Sequence, residues 1–306
     1  MKLHQLQALV AVVEHGSIRA AAREMHLTQA ALTKALRLLE EETGQALLMR
    51  QSRGVVLTGA GQRLHARAQL VTRQIALARD ELRQHLGDDE GTVCVGLTPY
   101  LMLTVLGEAY RWFRQRYPRV QLRLTEGLVS RVLPGLRDGS LDFAVVASSG
   151  EVSTQAFETT FLRADPQTLV VRAGHPVLLQ AQASRLVQLE WVLPGVLSPA
   201  VDDGLQAMFD RAGVPPPSLI TRCDALAAMA LVRQSDAVSV MPLPLLAQPE
   251  ARGLVEVSLR SLRPPGVELV QISPPGVPLT PAAAYFARCV QDAIRASASA
   301  APAARP

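Results

Sequence analysis

Apolar residues recur at helical spacing through the first 57 positions. Leu3, Leu6, Leu9, Val10 and Val13 form one stripe, which predicts a first helix. Gly16 ends it, and Ser17 opens a second segment, SIRAAAREM, as a hydroxyl N-cap. Ala20, Ala21 and Ala22 keep this second helix thin enough for close crossing. A three-residue turn, His26-Leu27-Thr28, leads into TQAALTKALRLLEEE, with Thr28 as the cap of a third helix. Helix, short turn and helix is the helix-turn-helix arrangement. The next stretch, LLMRQSRGVVLT, is apolar, then basic with Gly, then apolar again, which predicts a two-stranded wing with Arg50 and Arg53 near its tip.

From 58 to 86 the pattern changes. Leu64, Ala68, Val71, Ile75, Ala78 and Leu82 alternate four and three apart, the a and d seam of a coiled coil over about three heptads. One such helix cannot bury its seam alone, so dimerisation through 58–86 is expected. Residues 87–91, GDDEG, read as a hinge.

Beyond the hinge, strand and helix signals alternate from 92 to 297. Strands are predicted at TVCVGL, VQLRLTE, LDFAVVA, QTLVVRA, WVLP, LITRC, AVSVMP, LVEVSL and VELVQIS. Helical patterns cover 100–117, 128–138, 201–212, 224–234 and 281–296. Such alternation predicts βαβ units and mainly parallel sheet. About 200 residues are generous for one sheet, so two lobes are expected: about 92–162 with 266–297, and about 163–265. Residues 298–306 are small and Pro-punctuated, and are expected to be disordered.

Charge sharpens the picture. Residues 1–79 carry 11 Lys and Arg against 5 Asp and Glu, while the remainder carries 20 against 22. A basic first segment on a slightly acidic body points to a polyanion partner for the first part alone. At 3.6 residues per turn, Leu32, Leu36 and Leu39 share one side of the third helix. Gln29, Ala30, Thr33, Lys34 and Arg37 share the other. Gln, Thr, Lys and Arg suit base edges and phosphates in the major groove, and Ala30 lets the backbone come close. The caps Ser17 and Thr28 leave N–H groups free for phosphate, and Arg50 and Arg53 suit the backbone or minor groove. The run Glu40-Glu41-Glu42 would repel phosphate, so that end is expected to lie away from a duplex.

These residues resemble a known family. SIRAAAREMHLTQAALTKALRLLEEETG followed by LLMRQSRGVVLTGAG is similar to the N-terminal domain of LysR-type transcriptional regulators. The alanines, the T-Q-x-A-x-T core and the run R-x-x-R-x-x-x-L-T-x-x-G carry the likeness. The family often has Ser at positions 28 and 33 and Pro at 30. The resemblance implies an α/β protein with an all-α winged helix-turn-helix on 1–57 and a long dimerisation helix. It also implies a two-lobed effector domain like a periplasmic binding protein. A homotetramer on operator DNA, a small-molecule effector and RNA polymerase are the partners it implies.

Two helix starts in the α/β body share a hydroxyl followed by Pro: Thr98-Pro99 and Ser198-Pro199. Both follow predicted strands, where α/β sheets bind ligands. An organic anion held between Thr98 and Ser198 is the expected effector, although Asp202 and Asp203 put negative charge beside the second start. Tyr100, Leu101, Glu126, Ser148, Asp224 and Met241 are further expected contacts.

Composition removes other classes. No apolar run reaches the roughly 18 residues of a membrane helix. The first residues read as a helix and not as a signal peptide, which makes the cytoplasm the expected location. Cys94, Cys223 and Cys289 are far apart and form no CxxC, so neither a metal site nor a redox pair is expected. Only His175 of six histidines lies in the α/β body, and no G-x-S-x-G, phosphate loop or G-x-G-x-x-G occurs. No enzyme and no cofactor are expected. The rival readings are a solute-binding α/β protein and an architectural DNA-binding protein without a ligand.

Overall fold

The computed structural model describes residues 1–51, 54–148, 156–195 and 199–299. Arg53 and Ser198, and the side chains of Arg50, Ser148 and Pro199, lie outside the described residues. The chain divides into two compact units. Met1–Glu90 with Pro134–Leu141 makes one, and Gly91–Leu133 with the chain from Asp142 onward makes the other.

The first unit opens with α1 (Leu3–Glu14), α2 (Ile18–Glu24) and α3 (Gln29–Thr43). Leu6, Leu9, Val12, Ala21, Leu32, Leu36 and Leu39 form their shared core. The wing follows as an antiparallel pair, β1 (Leu48–Gln51) and β2 (Gly54–Leu57). Then α4 runs unbroken over Gly59–His85. Thr58 joins wing to helix: its Oγ1 accepts from the Gly61 N–H at 3.0 Å and donates to the Ala46 carbonyl at 2.7 Å. A Cβ at Gly61 would lie 2.0 Å from the Leu47 carbonyl oxygen, so this contact demands glycine.

The seam of α4 is used in two ways. Leu64 and Ala68 pack into the core of their own subunit beside α1. Further along, Val71 (44%), Ala78 and Leu82 (68%) stand exposed.

The second unit contains β3 (Thr92–Leu97), α5 (Pro99–Thr104), α6 (Leu106–Arg116), β4 (Gln121–Glu126), most of the turns of α7 (Val129–Arg137), β5 (Phe143–Ser148) and β6 (Glu158–Asp165). After Pro166 come β7 (Gln167–Arg172), α8 (Ala183–Leu186), β8 (Trp191–Pro194), α9 (Pro199–Ala212), β9 (Ile220–Cys223), α10 (Ala225–Gln234), β10 (Ser239–Pro242) and β11 (Leu254–Val257). The chain returns through β12 (Val267–Ser273) and ends its described part in α11 (Pro281–Ser299). One sheet has the order β4-β3-β5-β12-β6; the other lobe has β10-β7-β11 and the pair β8-β9. Two of the cores lie in this unit, one around Phe113, Phe143 and Phe286 and one around Trp191, Met208 and Phe209.

Four expectations are corrected here. The sheets are mixed: β3 pairs parallel with β4 and β5, and β8 with β9, but β12 runs antiparallel to β5 and β6, and β10 and β11 to β7. A strand that returns from the other lobe enters the first sheet from the opposite end. The strand β6, ETTFLRAD, carries no apolar alternation to announce it, and most of its side chains are exposed, Phe161 among them. The first crossing between lobes consequently falls at Pro166 and not near 162. The helix expected over 100–117 breaks at Val105, which leaves helical dihedrals (φ −127°, ψ −21°) and packs into the core.

Candidate DNA-contacting face and effector cleft

On α3 the leucines and the polar residues separate as their spacing requires. Leu32 and Leu39 are fully buried and Leu36 nearly so, while Thr28, Gln29, Ala30, Lys34 and Arg37 are exposed and Thr33 is half-buried. Gln29, Ala30, Thr33, Lys34, Arg37, Leu38 and Glu41 line one shallow depression on this face. The helix starts are capped: Ser17 Oγ accepts from the Ala20 N–H at 3.1 Å, and Thr28 Oγ1 from the Ala31 N–H at 3.2 Å. The turn between α2 and α3 passes through His26 at φ 53°, a left-handed conformation that few non-glycine residues adopt.

The three glutamates at the end of α3 each have a partner. Glu40 Oε1 accepts the N–H groups of Leu47 (2.8 Å) and Leu48 (3.1 Å), fixing the entry to β1. Glu41 pairs with Arg37 at 2.7 Å, and Glu42 with the amino group of Met1. The run is therefore structural as well as repulsive. The seven-residue reach from Glu40 to Leu47 has no signature along the chain.

In the second unit, Thr98 is the N-cap residue of α5 and Pro99 its first residue. Thr98 is 1% exposed, its hydroxyl does not cap the helix, and its Oγ1 has no hydrogen-bond partner. A buried hydroxyl left open in this way departs from the usual pairing of interior polar groups. At the other helix start, Asp202 of α9 is held by the guanidinium of Arg222 from β9, so its charge is balanced. A Cβ at Gly195 would lie 2.9 Å from the Leu128 side chain. Glu126 and Asp224 are exposed, Asp224 at the start of α10. Leu101 and Met241 pack in one apolar cluster, at 0% and 2% exposure. Tyr100 is buried with them, and its hydroxyl is committed to Asp165 at 2.5 Å.

Residues 3–62 match the model of the "Bacterial regulatory helix-turn-helix protein, lysR family", and residues 86–295 match that of the "LysR substrate binding domain". The chain belongs to the LysR family. It is a DNA-binding transcriptional regulator with an effector-binding domain. The regulator BudR of Raoultella terrigena is 30% identical over 257 residues, covering 79% of this chain and 88% of that one. TdcA of Escherichia coli K12 is 27% identical over 241 residues, covering 79% and 77%. Among solved structures, CbnR in complex with its target DNA superposes with a TM-score of 0.69 at 23% identity, over 96% of this chain and 100% of that one. A full-length OxyR variant of Pseudomonas aeruginosa, substituted at one cysteine, gives 0.69 at 21% identity, over 100% and 99%.

The cysteines of this LysR-family chain are free thiols. Burial, then the Asp224 carboxylate, pushes the Cys223 thiol up from its ordinary value. Burial does the same to Cys289. A raised thiol pKa leaves less of the thiolate with which oxidants react. No helix among the described residues is long and apolar enough to cross a membrane, and no group of three His, Cys, Asp or Glu among them is arranged to hold a metal.

Proposed function

We propose that this regulator acts in the cytoplasm as paired subunits that lay α3 in successive major grooves of an operator, with the wing on the flanking backbone. Gln29 and Thr33 read base edges; Ala30 permits close approach; Lys34 and Arg37 meet guanine or phosphate; Ser17, Thr28, Arg50 and Arg53 position the backbone. The single observation that carries this reading is the division of α3, with its leucines buried and its amide, hydroxyl and cationic groups outward. The likeness to CbnR, a protein solved with its target DNA, supports it. Pairing runs through the exposed seam of α4, and two pairs assemble into a tetramer over adjacent operator regions, from which RNA polymerase is reached. The chemistry required of the chain is recognition, without a catalytic step or a cofactor.

The effector in this reading is a small organic anion between the starts of α5 and α9, at Thr98 and Ser198, bordered by Pro99, Pro199, Glu126, Ser148 and Asp224. The unpartnered hydroxyl of Thr98 supports a ligand there, and the ion pair of Arg222 with Asp202 balances one of the two carboxylates that oppose an anion. The test is retardation of the DNA upstream of the chain's own gene, with and without a panel of organic acids. Gln29→Ala is expected to relax preference at one base pair, and Lys34→Ala to weaken all sequences and lower the salt slope by about one. Retardation unaffected by both substitutions would overturn the DNA reading. Thermal stabilisation by neutral or cationic compounds alone would overturn the anion.

A further inference from the structure

Asp165 is the last residue before the chain leaves the first lobe, and it is 5% exposed. Its carboxylate meets two groups. Tyr100 of α5 donates its hydroxyl to Oδ2 at 2.5 Å, and Arg163 reaches both oxygens, Nε to Oδ1 at 2.7 Å and Nη2 to Oδ2 at 2.9 Å. Arg163 Nη2 also lies 3.3 Å from the Tyr100 hydroxyl, and Nη1 donates to the Ile294 carbonyl and to Ser297 Oγ (3.0 Å) in α11. Both crossings between the lobes touch this cluster. The outgoing one is held where the Leu243 N–H donates to the Pro166 carbonyl at 2.8 Å. The returning one pairs Val267 with Asp165 and brings Gly266 so close that an added Cβ would sit 3.1 Å from the Asp165 carbonyl oxygen.

We propose that Tyr100, Asp165 and Arg163 form a clamp that fixes both interlobe crossings and ties them to α5, the helix that starts at Thr98. An ion pair with so little exposure, whose Oδ2 accepts from both the guanidinium and the phenol, has few favourable geometries. Two strands that share it cannot bend independently. The clamp stands on contacts alone, so it holds or fails whatever ligand the cleft takes.

Hydrogen exchange of the full-length protein, resolved by peptide, reads this directly. Tyr100→Phe keeps the ring and removes the link to Asp165. The expected result is exchange about tenfold faster in the peptides spanning 163–168 and 266–269, with the interior of β3 and β5 unchanged. A role in packing alone would raise β3 and β5 equally, and that outcome, or unchanged crossings, overturns the clamp. Arg163→Gln, which leaves the Tyr100 ring in the core, gives the same reading should Tyr100→Phe fail to fold.

Discussion

The Arg37 guanidinium lies 2.7 Å from the Glu41 carboxylate, one turn further along the outward face of α3. Both side chains are more than half exposed. An exposed pair of this kind contributes at most about 1 kcal/mol. A phosphate can therefore take the guanidinium at little cost, but the carboxylate remains to repel it. Glu41→Gln is expected to raise operator affinity several-fold and to steepen the dependence of log K on log salt by up to about one. Binding isotherms across a salt series check this. Weaker binding in the variant would mean that Glu41 is needed to hold Arg37 in its reading position.

Local signals carried the first unit well, and the reason is physical. Each of its elements is a short helix or hairpin whose caps and apolar stripe lie within a few residues of one another. Ser17, Thr28, Leu32 and Leu36 all announced their places. The partners of Glu40 and the commitment of Leu64 and Ala68 to their own subunit are contacts between elements, and spacing within one helix does not encode them. In the second unit the strands that carry an apolar alternation or run were legible, the exposed β4 among them. The exposed β6 was not, and with it went the antiparallel pairing of β12 and the true crossing at Pro166. The helix starts at Thr98 and Pro199 were visible as a hydroxyl and a proline, yet nothing along the chain showed that the Thr98 hydroxyl would be left open or that Arg222 would reach Asp202.

Gly61 tests the join between wing and long helix. A methyl group there would lie 2.0 Å from backbone, which cannot yield as a flexible side chain would. Gly61→Ala is expected to destabilise the first unit by about 1–3 kcal/mol. Gly107→Ala is the control. It lies in the first turn of α6, and nothing stands within 4 Å of its added Cβ, so it is expected to stabilise by up to about 1 kcal/mol. Denaturant unfolding of the two variants measures both. Equal effects would show that the wing shifts freely to admit the methyl group.

Tyr100 gives the protein an alkaline limit. Burial, and then its hydrogen bond to Asp165, raises the phenol above its ordinary value. Below pH about 10 the phenol is neutral in both folded and unfolded chains, and its contribution to stability is complete. As pH rises further the unfolded phenol ionises while the folded one holds its proton, so that contribution is progressively lost. Wild-type stability is expected to fall more steeply above pH about 10 than that of Tyr100→Phe. Thermal unfolding of both from pH 8 upward, at constant ionic strength, measures the difference. Parallel curves would mean that Tyr100 ionises in the folded state as freely as in the unfolded one.

Leu82 decides what the long helix is for. It is 68% exposed on a seam that also presents Val71 and Ala78, and water is a poor neighbour for such a stripe. The two seam positions nearer the wing, Leu64 and Ala68, are already occupied within the subunit, so only the later part is free to pair. Leu82→Glu puts like charges opposite one another in a paired helix and leaves a lone helix better solvated. Sedimentation is expected to show the variant dissociating at concentrations where the wild type is assembled, while its thermal unfolding as a subunit is unchanged. Operator retardation is expected to fall with assembly, because two half-sites bound by linked subunits gain an effective local concentration that separate subunits lack. A variant that remains assembled would move the interface off α4 and onto the α/β body.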